Sequence, residues 1–225
     1  MTAQHQAFFL TGTDTDVGKT FIACALLHAW RNRGLSAAGY KPVAAGADLI
    51  DGRLCNDDAM RLQAAGTPGF ELERINPLCL PEAIAPHLAA AHCGVSIDMA
   101  QMAVHFESLR LEADRVIVEG AGGFIVPLDE QHDMAQFAQK LGLPVILVVG
   151  LRLGCLNHAL LTAEAIAARG LSLAGWVGNV IDVDMPCLDE NVASLRLRLK
   201  APCLGVVPRL ASSQAAATYL EPATY

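Results

Sequence analysis

The segment GTDTDVGKT at residues 12–20 constrains the fold most, because an apolar stretch precedes it and an amphipathic stretch follows it. Glycine-rich turns at the start of a helix let backbone N–H groups converge on phosphate oxygens. In such turns a lysine like Lys19 reaches the terminal phosphates and a hydroxyl like that of Thr20 ligates Mg²⁺. The segment therefore predicts a phosphate-binding loop, or P-loop, between a strand and a helix.

Two properties of this loop are unusual. Five residues separate Gly12 from Gly18, one more than in the common pattern. Asp14 and Asp16 would repel bound phosphates unless they face a metal, an amine or solvent. The alternative is a glycine turn that happens to contain GKT, but a bare turn requires neither the lysine nor the hydroxyl.

Apolar segments alternate with segments of helical periodicity along the whole chain, and Gly, Pro or Asp marks each change. The predicted strands are residues 7–11, 37–42, 115–119, 144–149, 173–179 and 203–207. The predicted helices are residues 19–33, 57–65, 97–112, 133–141, 156–169 and 188–199. This alternation predicts one α/β domain over residues 1–225, with a P-loop fold and a mostly parallel sheet covered by helices on both faces. Proline-rich residues 66–86 do not fit the repeat, and we expect them to wall a site at the strand ends.

Composition excludes several classes of function. A net charge of −7 without a cluster of Lys and Arg argues against nucleic acid as a partner. The first ten residues do not resemble a secretion signal, and no apolar stretch is long enough to span a membrane, so we expect a cytoplasmic protein. The seven cysteines show no CxxC pair typical of zinc sites, and we expect most of them to be reduced and buried.

Charged residues also end two other predicted strands. Lys41, in GYKPV, would overlook the P-loop, although a lysine that simply closes a strand is the alternative. Glu119, in VEGAGG, occupies the usual place of a second Mg²⁺ anchor in P-loop enzymes, although a plain turn is also possible. A dinucleotide fingerprint is rejected because FIVP follows where a helix should begin. Asp57 and Asp58 begin a predicted helix, which they could cap, or one could supply a metal carboxylate.

A second junction between glycine and helix lies at residues 150–157, with the sequence GLRLGCLN. Free N–H groups at such a helix start can bind an anion. An ordinary strand-to-helix loop is equally consistent with the sequence.

The segments GTDTDVGKT, AGYKPVA, NDDA, VEGAGG, PVILVVG, LGCLNHALLTA and GWVGN resemble the dethiobiotin synthetase family in order and spacing, from about residue 8 to residue 210. The resemblance implies a homodimeric, ATP-dependent ligase of biotin biosynthesis with active sites at the dimer interface. Its substrates would be 7,8-diaminopelargonate, CO₂ and ATP, and its products dethiobiotin, ADP and phosphate. The reaction would pass through a carbamate and a carbamic–phosphoric anhydride, with Mg²⁺ as cofactor.

Site residues follow from the same resemblance. The implied catalytic residues are Thr15, Lys19 and Lys41. The implied Mg²⁺ ligands are Thr20, Asp58 and Glu119. The implied nucleotide-binding residues are Asp16, Val17, Gly18, Lys19, Thr20, Phe21, Asp58, Glu119, Gly120, Ala121, Gly122, Asn179, Val180, Pro208, Arg209 and Leu210. The implied diamine-binding residues are Thr15, Lys41, Ala45, Arg152, Gly154, Cys155, Leu156 and Asn157. Ala45 stands where the family often has a serine, and the tail after Ser212 departs from the family pattern.

Two other families are alternatives. Regulatory ATPases of the partitioning type carry a related loop with an extra lysine near its start, where this chain has Gly12, Thr13 and Asp14. Amidotransferase-type synthetases of cobalamin synthesis would need an additional glutaminase domain, for which 225 residues leave no room.

Overall fold

A parallel sheet of six strands forms the centre of the computed structural model, which describes residues 6–222. The strands are β1 (Gln6–Gly12), β2 (Ala37–Tyr40), β3 (Val43–Ala45), β4 (Asp48–Ile50), β5 (Arg53–Cys55), β6 (Leu78–Leu80), β7 (Arg115–Glu119), β8 (Val145–Leu151), β9 (Leu173–Val180) and β10 (Cys203–Val207). The order across the main sheet is β10-β9-β8-β1-β7-β2, and every neighbouring pair is parallel. The prediction of a mostly parallel α/β sheet is confirmed.

Helices cover both faces of this sheet. They are α1 (Lys19–Arg31), α2 (Asp57–Ala65), α3 (Leu72–Ile75), α4 (Pro86–His92), α5 (Met99–Arg110), α6 (Met134–Leu141), α7 (Cys155–Ala168), α8 (Leu188–Arg198) and α9 (Ser213–Ala216), with a 3₁₀ helix at Ala217–Tyr219. Alternate residues of a strand point to opposite faces. Phe8 stacks on Trp30 of α1, with 5.7 Å between ring centroids, whereas Phe9 belongs to the core on the other face with Phe106 of α5 and Phe137 of α6.

Small elements between β2 and α5 were not predicted. β3 pairs with β6 in a second, two-stranded parallel sheet, and β4 pairs with β5 in a hairpin. Asp51 and Gly52 turn this hairpin with positive φ angles of 50° and 79°, as a type I′ turn requires. Asp-Gly with Ile50 before it and Leu54 after it is a hairpin signal in the sequence, although no hairpin was predicted here.

Several predicted boundaries were wrong. The strand predicted for residues 37–42 ends at Tyr40, so Lys41 and Pro42 lie beyond it. The strand predicted for residues 144–149 continues to Leu151 and includes Gly150. Neither Asp57 nor Asp58 caps α2, because the side chain of Asn56 accepts the hydrogen bond from the N–H of Ala59.

The cysteine prediction holds in part. All seven cysteines are free thiols, but only Cys24 and Cys155 are buried. Burial raises the pKa of the Cys24 thiol to about 12, so this thiol is inert.

Two further expectations concern membrane-spanning helices and the first ten residues. Within the described residues, no helix has both the length and the apolar character needed to cross a membrane. The expectation about the first ten residues falls partly outside the described part of the chain, because residues 1–5 are not described.

Candidate active site

The predicted P-loop lies between the central strand β1 and helix α1, where the carboxyl end of the sheet opens. Gly18 is the residue before the helix and has a φ of 86°. A Cβ atom at this position would lie 2.2 Å from Nδ2 of Asn179, so both the backbone angle and the space require glycine. Nδ2 of Asn179 also donates to the carbonyl of Val17 at 2.9 Å. The end of β9 therefore fixes the shape of the loop.

The two acidic residues of the loop, Asp14 and Asp16, have different surroundings. Oδ2 of Asp14 lies 2.6 Å from Nη2 of Arg152, and Oδ1 accepts from the N–H of Thr15 at 2.8 Å. Asp16 is exposed. Asp16 thus faces solvent, as expected, whereas Asp14 faces the guanidinium of Arg152, which was not among the predicted alternatives.

Lys41, which follows β2, lies between two carboxylates. Its Nζ is 2.5 Å from Oε1 of Glu119 and 3.1 Å from Oδ2 of Asp58. The side chains of Lys41 and Glu119 are buried, whereas that of Asp58 is 41% exposed. The alternative of a surface lysine at a strand end is therefore wrong. The hydroxyl of Thr20 completes the cluster by donating to Oε1 of Glu119 at 2.8 Å.

Burial and charge act against each other in this cluster. Burial disfavours the charged ammonium of Lys41, but the carboxylates of Glu119 and Asp58 outweigh it and raise the pKa of Lys41. Burial also disfavours the charged form of Asp58, yet Lys41 outweighs it and lowers the pKa of Asp58. Burial lowers the pKa of Lys19, because the attraction of Glu119 does not offset desolvation and the nearby Lys41 repels it. Both lysines are thus close enough to act on one anion.

The residues predicted to hold Mg²⁺ are Thr20, Asp58 and Glu119, and the structure brings them together around Nζ of Lys41. Oε2 of Glu119 is buried and has no hydrogen-bond partner among the described residues. One hydroxyl and two carboxylates, one of which has an unpaired oxygen, fit Mg²⁺. This ion typically takes one or two carboxylates together with phosphate and water oxygens. No group of three or more His, Cys, Asp or Glu side chains in residues 6–222 offers a metal site made by the protein alone.

A cavity of about 950 Å³ opens above this cluster, which is the size of a site for a small-molecule ligand. One wall is polar and contains Lys19, Lys41 and Asp58. Another part of the lining is mostly apolar and comes from β3, from residues 83–86 and from the loop after β7. Its residues are Ala44, Ala45, Ala83, Ile84, Ala85, Pro86, Val126 and Pro127. The expectation that residues 66–86 wall a site is confirmed for their last four residues.

The cavity unites only part of the predicted set. The predicted residues that line it are Thr15, Asp16, Gly18, Lys19, Thr20, Phe21, Lys41, Ala45, Asp58, Ala121 and Gly122. Asn179 and Val180 end β9, next to the segment after β10 that contains Pro208, Arg209 and Leu210. Nη1 of Arg209 donates to the carbonyl of Ile181 at 2.8 Å and joins these two segments. These residues lie outside the cavity lining, and Asn179 contacts the P-loop through Val17.

The predicted anion site before α7 does not line the cavity. Gly154 has a φ of 95° and begins this helix, and Asn157 is exposed. The guanidinium of Arg152 is held by Asp14, as described above. Within this chain the junction therefore faces outward, away from the apolar wall.

Comparison with known proteins identifies the family. A family model described as an AAA domain matches residues 6–217. The ATP-dependent dethiobiotin synthetase BioD of Aromatoleum aromaticum is 60% identical over 213 residues, which are 95% of each chain. The protein of the same name from Cellvibrio japonicus is 55% identical over 218 residues, which are 96% of each chain. The chain belongs to the dethiobiotin synthetase family.

Solved structures of much lower identity share the fold of this synthetase family. A ParA family ATPase from Chlorobium tepidum matches with a TM-score of 0.59 at 11% identity, over 95% of this chain and 89% of that chain. The MinC:MinD cell division protein complex of Aquifex aeolicus matches with a TM-score of 0.56 at 14% identity, over 94% and 86% of the two chains. Because these identities are low, the likeness supports the fold alone. The interpretation as a regulatory ATPase is not favoured.

Two residues that line the cavity and one ion pair beside it were not predicted from the sequence. Arg61 lines the cavity one turn after Asp58, and its helical spacing from Asp58 is the signal that was available. Asn56 also lines the cavity and donates to the carbonyl of Gly46 at 2.8 Å. The ion pair between Asp14 and Arg152 joins residues 138 positions apart, so no local pattern indicates it.

Proposed function

We propose that this chain is an ATP-dependent dethiobiotin synthetase, which converts 7,8-diaminopelargonate, CO₂ and ATP into dethiobiotin, ADP and phosphate. The proposal places the activity in one domain over residues 1–225 and in the cytoplasm, where its ATP is supplied. The observation that carries it is the cluster around Lys41. There the P-loop residues Lys19 and Thr20 meet Lys41, Asp58 and Glu119 beside a cavity with an apolar wall.

The first bond-forming step brings two anions together. One amine of the substrate adds to CO₂ and loses a proton, which gives a carbamate whose oxygen attacks the γ-phosphorus of ATP as ADP leaves. Because carbamate and triphosphate are both anionic, the step needs positive charge that is already in place. Lys19 and Lys41, which both line the cavity, provide that charge, and Thr15 of the P-loop lines the same cavity.

We propose Mg²⁺ as the cofactor, held by Thr20, Asp58 and Glu119 together with phosphate oxygens. The ion would neutralise phosphate charge when it is bound. Lys41 pairs with both of these carboxylates, so Mg²⁺ would have to compete with its ammonium for them. Removal of the ion with a chelator should therefore leave the fold intact and abolish turnover.

The second step closes the ring. The neighbouring amine attacks the carbonyl carbon of the carbamic–phosphoric anhydride, and phosphate leaves. Holding the amine next to the carbonyl can supply roughly 7 to 11 kcal/mol of the barrier. The apolar residues Ala45, Ile84 and Val126 suit the alkyl chain of the substrate and limit access of water to the anhydride.

The adenine is proposed to lie between the ends of β9 and β10. Asn179, Val180 and residues 208–210 surround this position, and the P-loop adjoins it through the bond from Asn179 to Val17. In this arrangement residues 16–21 would contact the phosphates. Residues 119–122 lie at the end of the neighbouring strand β7. A base held here would place the triphosphate along the start of α1.

The substrate carboxylate is proposed to bind at residues 154–157 of a second subunit, near Arg152. This junction faces outward in the single chain, and its neighbourhood is apolar. Leu153 is 86% exposed and Leu161 on α7 is 56% exposed, as expected for residues that a partner subunit covers. The proposed homodimer would therefore complete each active site with the helix start of the partner.

Mixing two inactive variants tests this shared site. Lys41→Ala removes the catalytic lysine, and Gly154→Val disturbs the helix start, because valine does not tolerate the φ of 95°. If the subunits exchange at random, half of the dimers are mixed and each has one intact site, so activity should return to about a quarter of wild type. Subunit exchange is verified with two different tags. If exchange occurs without recovery of activity, the carboxylate binds within one subunit.

Release of phosphate provides the test of the proposed activity. We expect ATP turnover to require diaminopelargonate, bicarbonate and Mg²⁺ together, because the anhydride cannot form without the carbamate. The measurement is phosphate release with each component omitted in turn and with excess EDTA. Fast ATP hydrolysis without the diamine would contradict the proposal and favour a regulatory ATPase.

A further inference from the structure

Lys41 lies at the point where the chain leaves the main sheet. β2 pairs with β7 up to Tyr40, which lies opposite Val118. Pro42 follows Lys41 and has no N–H to donate, and β3 then pairs with β6 in the second sheet. The backbone of Lys41 therefore has no partner in the ladder of the main sheet and must be held in another way.

The segment after α3 supplies that support. The N–H of Lys41 donates to the carbonyl of Ile75 at 2.8 Å. Nδ2 of Asn76 donates to the carbonyl of Lys41 at 2.7 Å and to the carbonyl of Leu78 at 3.1 Å. Asn76 is only 7% exposed, so both of its amide hydrogens are committed to backbone carbonyls in a buried place. One carboxamide thus links the lysine to the start of β6.

The position of this anchor matters because the backbone of Lys41 determines where its long side chain can place the ammonium. Four rotatable bonds separate the backbone of Lys41 from Nζ, which contacts Glu119 and Asp58 at the cavity floor. A shift of the backbone by about 1 Å would move the ammonium away from the reacting oxygens, and displacements of this size can cost about a hundredfold in rate. Asn76 itself is absent from the cavity wall and cannot touch the substrate there.

We propose that Asn76 is a positioning residue, whose carboxamide fixes the backbone of Lys41 so that its ammonium acts on the transferred phosphoryl group. This inference rests on the proposed function of Lys41. Alanine at position 76 removes both hydrogen bonds. Aspartate has the same shape as asparagine but accepts hydrogen bonds only when ionised, so it opposes two carbonyl oxygens.

The test compares kcat, KM and nucleotide affinity for Asn76→Ala and Asn76→Asp. We expect kcat to fall by about tenfold to a hundredfold, because the lysine is misplaced in the transition state. The affinity for a fluorescent ATP analogue should change by less than about twofold, since the P-loop residues keep their contacts. Gln63→Ala is the matched control. Nε2 of Gln63 donates to the carbonyl of Phe70 at 2.9 Å in the same excursion of the chain, without contact to Lys41, and its loss should leave kcat unchanged.

A double-mutant cycle separates this role from a general structural effect. In the Lys41→Ala background, assayed with ¹⁴C-bicarbonate to follow residual turnover, Asn76→Ala should lower kcat by less than about twofold further. An equal loss in both backgrounds, an unchanged kcat in the wild-type background, or failure of both variants to fold would overturn the role of Asn76. If Lys41→Ala itself retains full turnover, the proposed function of Lys41 is at fault instead.

Discussion

Replacement of Lys41 by alanine should lower kcat by at least about a hundredfold, because charge that meets the developing anions in the transition state is removed. The ammonium is buried and lies 2.5 Å and 3.1 Å from two carboxylates, so solvent cations cannot readily replace it. Its loss leaves Glu119 and Asp58 facing each other without a counter-charge in the absence of Mg²⁺. We therefore also expect a lower free energy of unfolding in the presence of EDTA, with partial recovery when Mg²⁺–ATP is added.

Steady-state turnover and thermal unfolding measure these two effects. Lys200→Ala is a suitable control, since Lys200 is exposed and lies far along the chain from the site. Turnover close to wild type for Lys41→Ala would exclude Lys41 from the chemistry, whatever its effect on stability.

Replacement of Lys19 by alanine should have an equally large effect on kcat, at least about a hundredfold, and should in addition weaken nucleotide binding. Lys19 is the first residue of α1 and belongs to the P-loop itself. Its Nζ donates to the carbonyl of Asp14 at 3.0 Å. A bound triphosphate would compete with that carbonyl for the ammonium.

The two lysines should thus differ in one measurable respect. Lys19→Ala should raise the dissociation constant of an ATP analogue, whereas Lys41→Ala should leave it nearly unchanged, because Lys41 lies outside the P-loop. Titration calorimetry with a non-hydrolysable analogue measures both constants. An unchanged dissociation constant for Lys19→Ala would place Lys19 away from the phosphates.

The sequence allowed the main sheet and the core of the site to be predicted because local patterns determine both. An apolar strand, the segment at residues 12–20 and an amphipathic helix specify a P-loop without reference to the rest of the chain. Glu119 was placed correctly by the same logic, since the carboxyl ends of neighbouring parallel strands meet at one edge. The alternation of strands and helices predicted a mostly parallel sheet, but the order of its strands was not predicted, because it depends on which distant segments pair.

The parts of the fold and of the candidate site that were not predicted depend on contacts between distant segments. Strands β3 to β6 have three residues each, which is too short for hydrophobic periodicity to identify them. Lys41 was predicted to overlook the P-loop, but its burial was not predicted, because it depends on Asn76 and Asp58 from other elements. The pairing of Arg152 with Asp14 joins two loops that have no sequence signal in common.

The proposed activity of this site is to join CO₂ to a diamine at the expense of ATP. The direct measurement is mass analysis of the product formed from diaminopelargonate, ¹³C-bicarbonate and Mg²⁺–ATP. We predict dethiobiotin that carries a single ¹³C atom, formed in equal amount to ADP and phosphate, and no such product from Lys41→Ala within the same period. Accumulation of ADP and phosphate without labelled dethiobiotin would contradict the account.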